Sequence, residues 1–162
     1  PASRLTMFVG VSILLSALPS GFLTDRFGRK RIVALAGFLA AAGTALAVAV
    51  PNLTVIYIGG AIIGIGMGLF YTANWALGTE IVPKAQAGRF LGISNLAGAG
   101  AGAIGAYIGG PMADFLAAQM PQSPGLGYVL LFVLYGSLFL LSTAALTRVR
   151  EPSRATQIVQ ID

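Results

Sequence analysis

The sequence contains no cysteine and no histidine. Without cysteine there are no disulfides and no thiolate metal sites, and nothing marks a redox compartment. Losing histidine as well removes the commonest general base and the commonest metal ligand. Charge is scarce: Asp, Glu, Lys and Arg make up 9% of the 162 residues, against about 25% in an average soluble domain. Only five residues are acidic. They form no paired carboxylates and no metal-ligand spacing, so an enzyme is not expected and no cofactor is implied. No G-x-x-x-x-G-K-[ST] pattern occurs to cradle a nucleotide phosphate. The ten basic residues leave a net charge of +5, yet they form no stripe with interleaved aromatics, and nucleic acid is not an expected partner.

Apolar residues dominate, at 56%, together with 22 glycines. This composition lacks the polar surface that a water-soluble ball needs and points to a lipid bilayer. Five apolar runs are long enough to cross one as helices: Leu5–Leu23, Ile32–Val50, Leu53–Val82, Leu91–Leu116 and Tyr128–Leu146. None alternates with period 2, and backbone groups in lipid must be satisfied internally, so helices are predicted throughout. The expected fold class is an all-α membrane protein with a bundle over 1–147 and a polar tail over 148–162. The third run, at 1.5 Å per residue, would be about 45 Å long, more than a bilayer core. The start, Arg4 followed by "LTMFVGVSILL" and "SALPS", resembles a cleaved signal peptide only in passing. Its apolar stretch continues far enough to span.

Lys and Arg collect in alternate loops. Arg26, Arg29, Lys30 and Arg31 follow the first run, Lys84 and Arg89 follow the third, and Arg148, Arg150 and Arg154 follow the fifth; the opposite side holds Arg4 alone. The positive-inside rule then puts the N-terminus outside and the C-terminus in the cytoplasm of a multi-pass inner-membrane protein.

Five charges fall between Asp25 and Arg31 in the stretch "GFLTDRFGRKRIV". A generic cytoplasmic loop needs a few Lys or Arg, but it calls for neither Gly21 one turn before Asp25 nor Gly28 within the basic run. Gly21-x-x-x-Asp25-Arg26-x-Gly28-Arg29-Lys30 resembles the loop motif of the major facilitator superfamily of secondary transporters, which joins the second and third helices of a six-helix half. The resemblance implies a carrier fragment: five helices of a half-bundle whose first helix is missing. Its partners would be the other half of the transporter and a small organic solute, with possible H⁺ or Na⁺ coupling. It also implies that the motif is a gating latch, holding the two halves together on the cytoplasmic side. Gly21 would admit a neighbouring helix, Gly28 would let the backbone reverse, and Asp25 would face the positive end of a helix or pair with Arg26 or Arg29. The C-terminal half is favoured by the polar tail "TRVREPSRATQIVQID" and by the lack of an arginine near the start of the third run.

The stretch "WALGTEIVPKAQAGR" is similar to the tenth helix of sugar-porter branches, in which a tryptophan, a glutamate five residues on and a loop arginine recur. Trp75 and Glu80 have that spacing, but Arg89 comes later than in the pattern. "AGRFLGISN" is similar to bacterial sugar or cation symporter-like relatives, and the substrate class stays open. Glu80 has two readings: an interfacial acid paired with Lys84 at i,i+4, or a member of a charge network with Arg89 and the basic loop. Tyr71, Thr72, Asn74 and Trp75 form a polar-aromatic patch suited to an organic solute or to helix–helix hydrogen bonds. Asn95 and Ser94 carry the same pair of readings. Asp114 reads as a boundary charge rather than a proton-coupling site. Gly60, Gly64 and Gly68 recur every fourth residue, as do Gly98/Gly102 and Gly105/Gly109. They predict helix-packing faces. Gly110-Pro111 is expected to weaken or bend the fourth helix. The competing function is a complete five-span subunit that binds a partner or scaffolds an assembly without transporting.

Overall fold

In a computed structural model, the structure describes residues 2–50, 52–123 and 125–149, without the side chains of Ala2 and Lys84. The expected tail from residue 150 onward, with Arg150 and Arg154, lies outside the described residues. Five helices make up the fold: α1 (Ala2–Phe27), α2 (Arg29–Ala49), α3 (Leu53–Ile81), α4 (Ala87–Gln119) and α5 (Leu126–Leu146); a single 3-10 turn, Lys84–Gln86, leads into α4. All five are long and apolar enough to cross a membrane. Large apolar side chains such as Leu14, Leu18, Phe38 and Leu141 point outward, as they do when the surrounding solvent is lipid.

Two helices, α1 and α4, run past both ends of the apolar runs that announce them. Hydrophobicity ends where the hydrocarbon ends, whereas backbone hydrogen bonding continues until a residue stops it. α1 therefore carries Asp25 and Arg26 within its last turns, and α4 runs without a break through Pro111. α3 starts at a cap in which the Asn52 side chain accepts from the Thr54 amide at 2.8 Å. It stops before Pro83, which holds Val82 in an extended conformation.

The helices pack in the spatial order α1, α3, α2, α5, α4. α3 sits between α1 and α2 because glycines open two of its faces. On one face, added methyls at Gly60 and Gly64 would lie 3.1 Å from the Val9 side chain and 2.7 Å from the Ser12 Cβ, both on α1. On the other, one at Gly66 would lie 2.9 Å from the Ala36 carbonyl oxygen of α2. Backbones this close gain dispersion contacts, which hold helices together where lipid offers no hydrophobic drive. The buried cluster sits at the α2–α3 seam and comprises Ile32, Val33, Ala36, Leu69, Ala73 and Leu77, with Leu23, Leu39 and Leu146 packed against it.

α4 packs along α5, and near its own start Leu91 comes close to Gly78 of α3. The α4–α5 seam closes where Gly127 meets the backbone of Ala113 and Ala117. The Tyr135 hydroxyl donates to the Gly105 carbonyl at 3.1 Å and lies over Gly109. Gly98 and Gly102 have nothing near them among the described residues. Of the predicted glycine rows, the one on α3 and the Gly105/Gly109 pair on α4 thus meet neighbours within the chain, and the Gly98/Gly102 pair meets none among the described residues.

Candidate functional site: the α1–α2 joint and its ion pair

One residue separates α1 from α2. The Gly28 amide donates to the Thr24 carbonyl at 3.0 Å, and the Gly28 carbonyl accepts from the Ile32 amide at 3.3 Å. Gly28 thus ends one helix and caps the next. It does so at φ 93° and ψ 142°, a conformation essentially confined to glycine. The charged stretch is therefore a joint rather than a loop. Gly21, Asp25 and Arg26 ride on the end of α1, and Arg29 and Lys30 on the first turn of α2.

The cations on the α2 side bind two other helices. Arg29 Nη1 lies 2.8 Å from Glu80 Oε2 and donates to the Ala76 carbonyl at 2.9 Å, tying the start of α2 to the end of α3. A guanidinium there also sits at the negative end of the α3 dipole. Lys30 Nζ donates to the carbonyls of Thr147 at 3.0 Å and Val149 at 2.6 Å, just past the end of α5. One turn of α2 thereby fastens the ends of α3 and α5 together.

On the α1 side, Asp25 is exposed and has no ion pair or hydrogen bond among the described residues. Neither suggested pairing is made: Arg29 is engaged with Glu80, and the Arg26 guanidinium sits 5.6 Å from the centre of the Phe27 ring. A side chain at Gly21 would meet nothing within 4 Å. Arg89 is exposed on the first turn of α4 and makes no contact with Glu80 among the described residues. The Lys84 side of the suggested Glu80–Lys84 pair lies outside the described side chains.

The polar-aromatic patch on α3 is divided. Tyr71 and Asn74 line a groove of about 590 Å³ between α2, α3 and α5, beside Met67 and Phe70 and opposite Phe139 and Ser142. Trp75 faces away from that groove and is half exposed. Asn95 and Ser94 are exposed on α4, also apart from it. Thr72 donates to the Gly68 carbonyl at 3.2 Å, a bond internal to α3. Asp114 accepts a hydrogen bond from the Tyr128 hydroxyl at 2.8 Å, joining α4 to α5 at the end away from the joint.

α1 also carries a hydroxyl row, which apolar runs alone do not single out. Ser16, Ser20 and Thr24 are buried, and the Ser20 hydroxyl donates to the Leu69 carbonyl at 3.4 Å. Ser12, Ser16, Ser20 and Thr24 recur every fourth residue, the same period as Gly60, Gly64 and Gly68. Two matching four-residue rows, one of hydroxyls and one of glycines, were the signal for the α1–α3 contact.

The fold defines a multi-pass helical membrane protein with the Arg29–Glu80 ion pair beside a glycine joint at one end. The chain belongs to the Major Facilitator Superfamily, whose sequence model matches residues 3–161. The superfamily is one of transporters, which sets enzymatic chemistry aside. The chain is 34% identical over 94 residues to the minor myo-inositol transporter IolF of Bacillus subtilis, which covers 58% of the chain and 21% of that protein. It is 36% identical over 84 residues to the niacin transporter NiaP of Acinetobacter baylyi, covering 52% of the chain and 19% of the relative. A match of 29% over 150 residues to the acurin A biosynthesis cluster MFS-type transporter of Aspergillus aculeatus covers 93% of the chain and 26% of that relative. In each case the chain spans about a quarter or less of the relative's length.

Proposed function

We propose that the chain is one wall of a carrier that moves a small organic solute by alternating access, with the Gly28 joint as part of its cytoplasmic gate. The observation that carries this reading is the superfamily match over residues 3–161, with Gly21–Lys30 built as a one-residue joint tied to α3 by Arg29 and Glu80. A gate must be held by only a few kcal/mol, or the carrier would not switch. A single partly exposed ion pair and a few charge-assisted hydrogen bonds are of that order.

The count of Lys and Arg supports a cytoplasmic position for the joint, the α3–α4 link and the C-terminal end. The named solutes of the relatives, myo-inositol and niacin, support a small polar molecule. Tyr71 and Asn74 are the residues here with the chemistry to meet one; Trp75 and Asn95 lie outside their groove and would meet the same solute only in a cavity completed by a facing second half. The exposed Asp25, the open faces at Gly21, Gly98 and Gly102 and the share of each relative that is matched support a partner half outside this chain. Any H⁺ or Na⁺ coupling group would sit there as well, since no span here carries a mid-membrane acid.

The test is uptake of labelled myo-inositol and niacin by vesicles holding either the carrier that contains this chain or the 162-residue chain alone. The carrier should accumulate solute, and Asp25→Asn should slow it while membrane levels stay equal. The chain alone should not transport. Accumulation by the chain alone, or an Asp25→Asn carrier with unaltered kinetics, refutes the reading.

A further inference from the structure

The first turn of α2 holds Arg29, Lys30 and Arg31 and no acid, at the end of a helix where the dipole disfavours cations. Its cap, Gly28, offers no side-chain acceptor. Two of the three cations are compensated, Arg29 by Glu80 and Lys30 by carbonyls past the end of α5. Arg31 is exposed and has no ion pair or hydrogen bond among the described residues.

Arg31 is not simply on open surface. It lines a groove of about 310 Å³ between the start of α2 and the end of α5, together with Lys30, Ala34, Thr143, Leu146 and Thr147. Past Ala34 on the same two helices, Gly37 meets the Thr143 side chain. Its charge lies at its mouth and its apolar side chains lie further along two membrane-crossing helices. A soluble anion would use the mouth alone; an amphiphile with a negative head uses both.

We propose that this groove binds the headgroup of an anionic phospholipid from the leaflet that faces the joint, with Arg31 on the phosphate and the first acyl carbons against Ala34 and Leu146. Basic pockets between transmembrane helices suit such headgroups. The lipid would compensate the third cation of the turn whose other two hold α3 and α5, so its binding bears on the joint. The proposal does not depend on which solute is carried or on whether the chain transports.

Native mass spectrometry of the full chain, released from micelles holding equal phosphatidylglycerol and phosphatidylcholine, reads it directly. Phosphatidylglycerol should be retained over phosphatidylcholine. Arg31→Gln should lower that retention about fivefold, the equivalent of one juxtamembrane basic residue. Arg4→Gln, at the other end of α1, should leave it unchanged. Ala34→Phe fills the apolar part with Arg31 intact and should lower retention too, which keeps the test open if Arg31→Gln fails to fold. Excess glycerol 3-phosphate should not displace the lipid. Equal retention of the two lipids, a full signal in both groove variants, or displacement by glycerol 3-phosphate would each overturn the proposal, the last by making this a soluble-anion site.

Discussion

Replacing glycine by alanine at position 28 and at position 21 is the same chemical change seven residues apart, and the structure gives the two opposite signs. Gly28 has φ 93° and ψ 142°, with nothing within 4 Å of an added Cβ. Sterics with neighbours therefore drop out, and the cost of Gly28→Ala is backbone strain, about 1–3 kcal/mol. Part of it is offset by the smaller freedom of the unfolded alanine chain, about 0.4–1 kcal/mol, leaving a net loss of up to about 2.6 kcal/mol, with a mid-range value of about 1.3 kcal/mol. Gly21 lies inside α1 and is equally uncrowded. There the offset stands alone, and alanine should stabilise by about 0.5–1 kcal/mol. Unfolding by SDS in mixed micelles, followed through the fluorescence of the single tryptophan, Trp75, measures both. The midpoint should fall for Gly28→Ala and hold or rise for Gly21→Ala. A Gly28→Ala midpoint equal to wild type, or equal losses in the two variants, would refute the claim that α1 and α2 meet at one left-handed residue.

Two further outcomes follow from the packing. Valine at Gly68 should wedge α1 from α3, because a Cβ there would lie 3.2 Å from the Ala17 amide and closer still to the Ile13 carbonyl; the same titration should show a loss of about 1–3 kcal/mol. Valine at Gly98, with nothing near it, should stay within about 0.5 kcal/mol of wild type, so equal losses at both positions would contradict the assigned seams. A double-mutant cycle on Arg29→Gln and Glu80→Gln should give a coupling of about 0.5–1 kcal/mol, kept small because a third of the Arg29 side chain is exposed. Strict additivity would mean that the pair does not hold α2 to α3.

The number and kind of helices were legible because lipid leaves the backbone few choices. The ends were not, since an apolar run reports the depth of hydrocarbon and α1 and α4 outlast it. The seams were half legible. Gly60, Gly64 and Gly68 announce a close face, but a glycine row does not say which helix fills it; the hydroxyl row from Ser12 to Thr24 does, once both are read together. Glu80 shows the limit most plainly. In sequence Lys84 is one turn away and Arg29 is 51 positions away, and only the packing of α2 on α3 makes the remote cation a neighbour. Tyr71, Asn74 and Trp75 looked like one patch by proximity along the chain. On a helix of 3.6 residues per turn, the groove takes Tyr71 and Asn74 and leaves Trp75 outside.

The two kinds of glycine face bear on how such a half moves. Along α3, glycines bring backbones together on both sides, and a wedge there costs stability. Seams of this kind are closely packed and resist graded deformation, so α1, α3 and α2 should travel as one body. On α4 an added Cβ at Gly98 or Gly102 would meet nothing within 4 Å among the described residues, and the helix is tied to α5 through the Tyr135 hydroxyl, the Tyr128–Asp114 hydrogen bond and the Gly127 contact. The stiff element thus contains the joint and its ion pair, and the loosely held one begins beside it, where a Cβ added at Gly78 would lie 3.9 Å from the Leu91 side chain. A displacement of that body would therefore reach the start of α4 from the end of α3, and would leave the α1–α3 seam unchanged. Spin labels across α1–α3 and across α3–α4 in the carrier separate the cases: the first distance should stay fixed when solute is added and the second should change. A change in the first with none in the second would reverse the assignment of rigid and mobile parts.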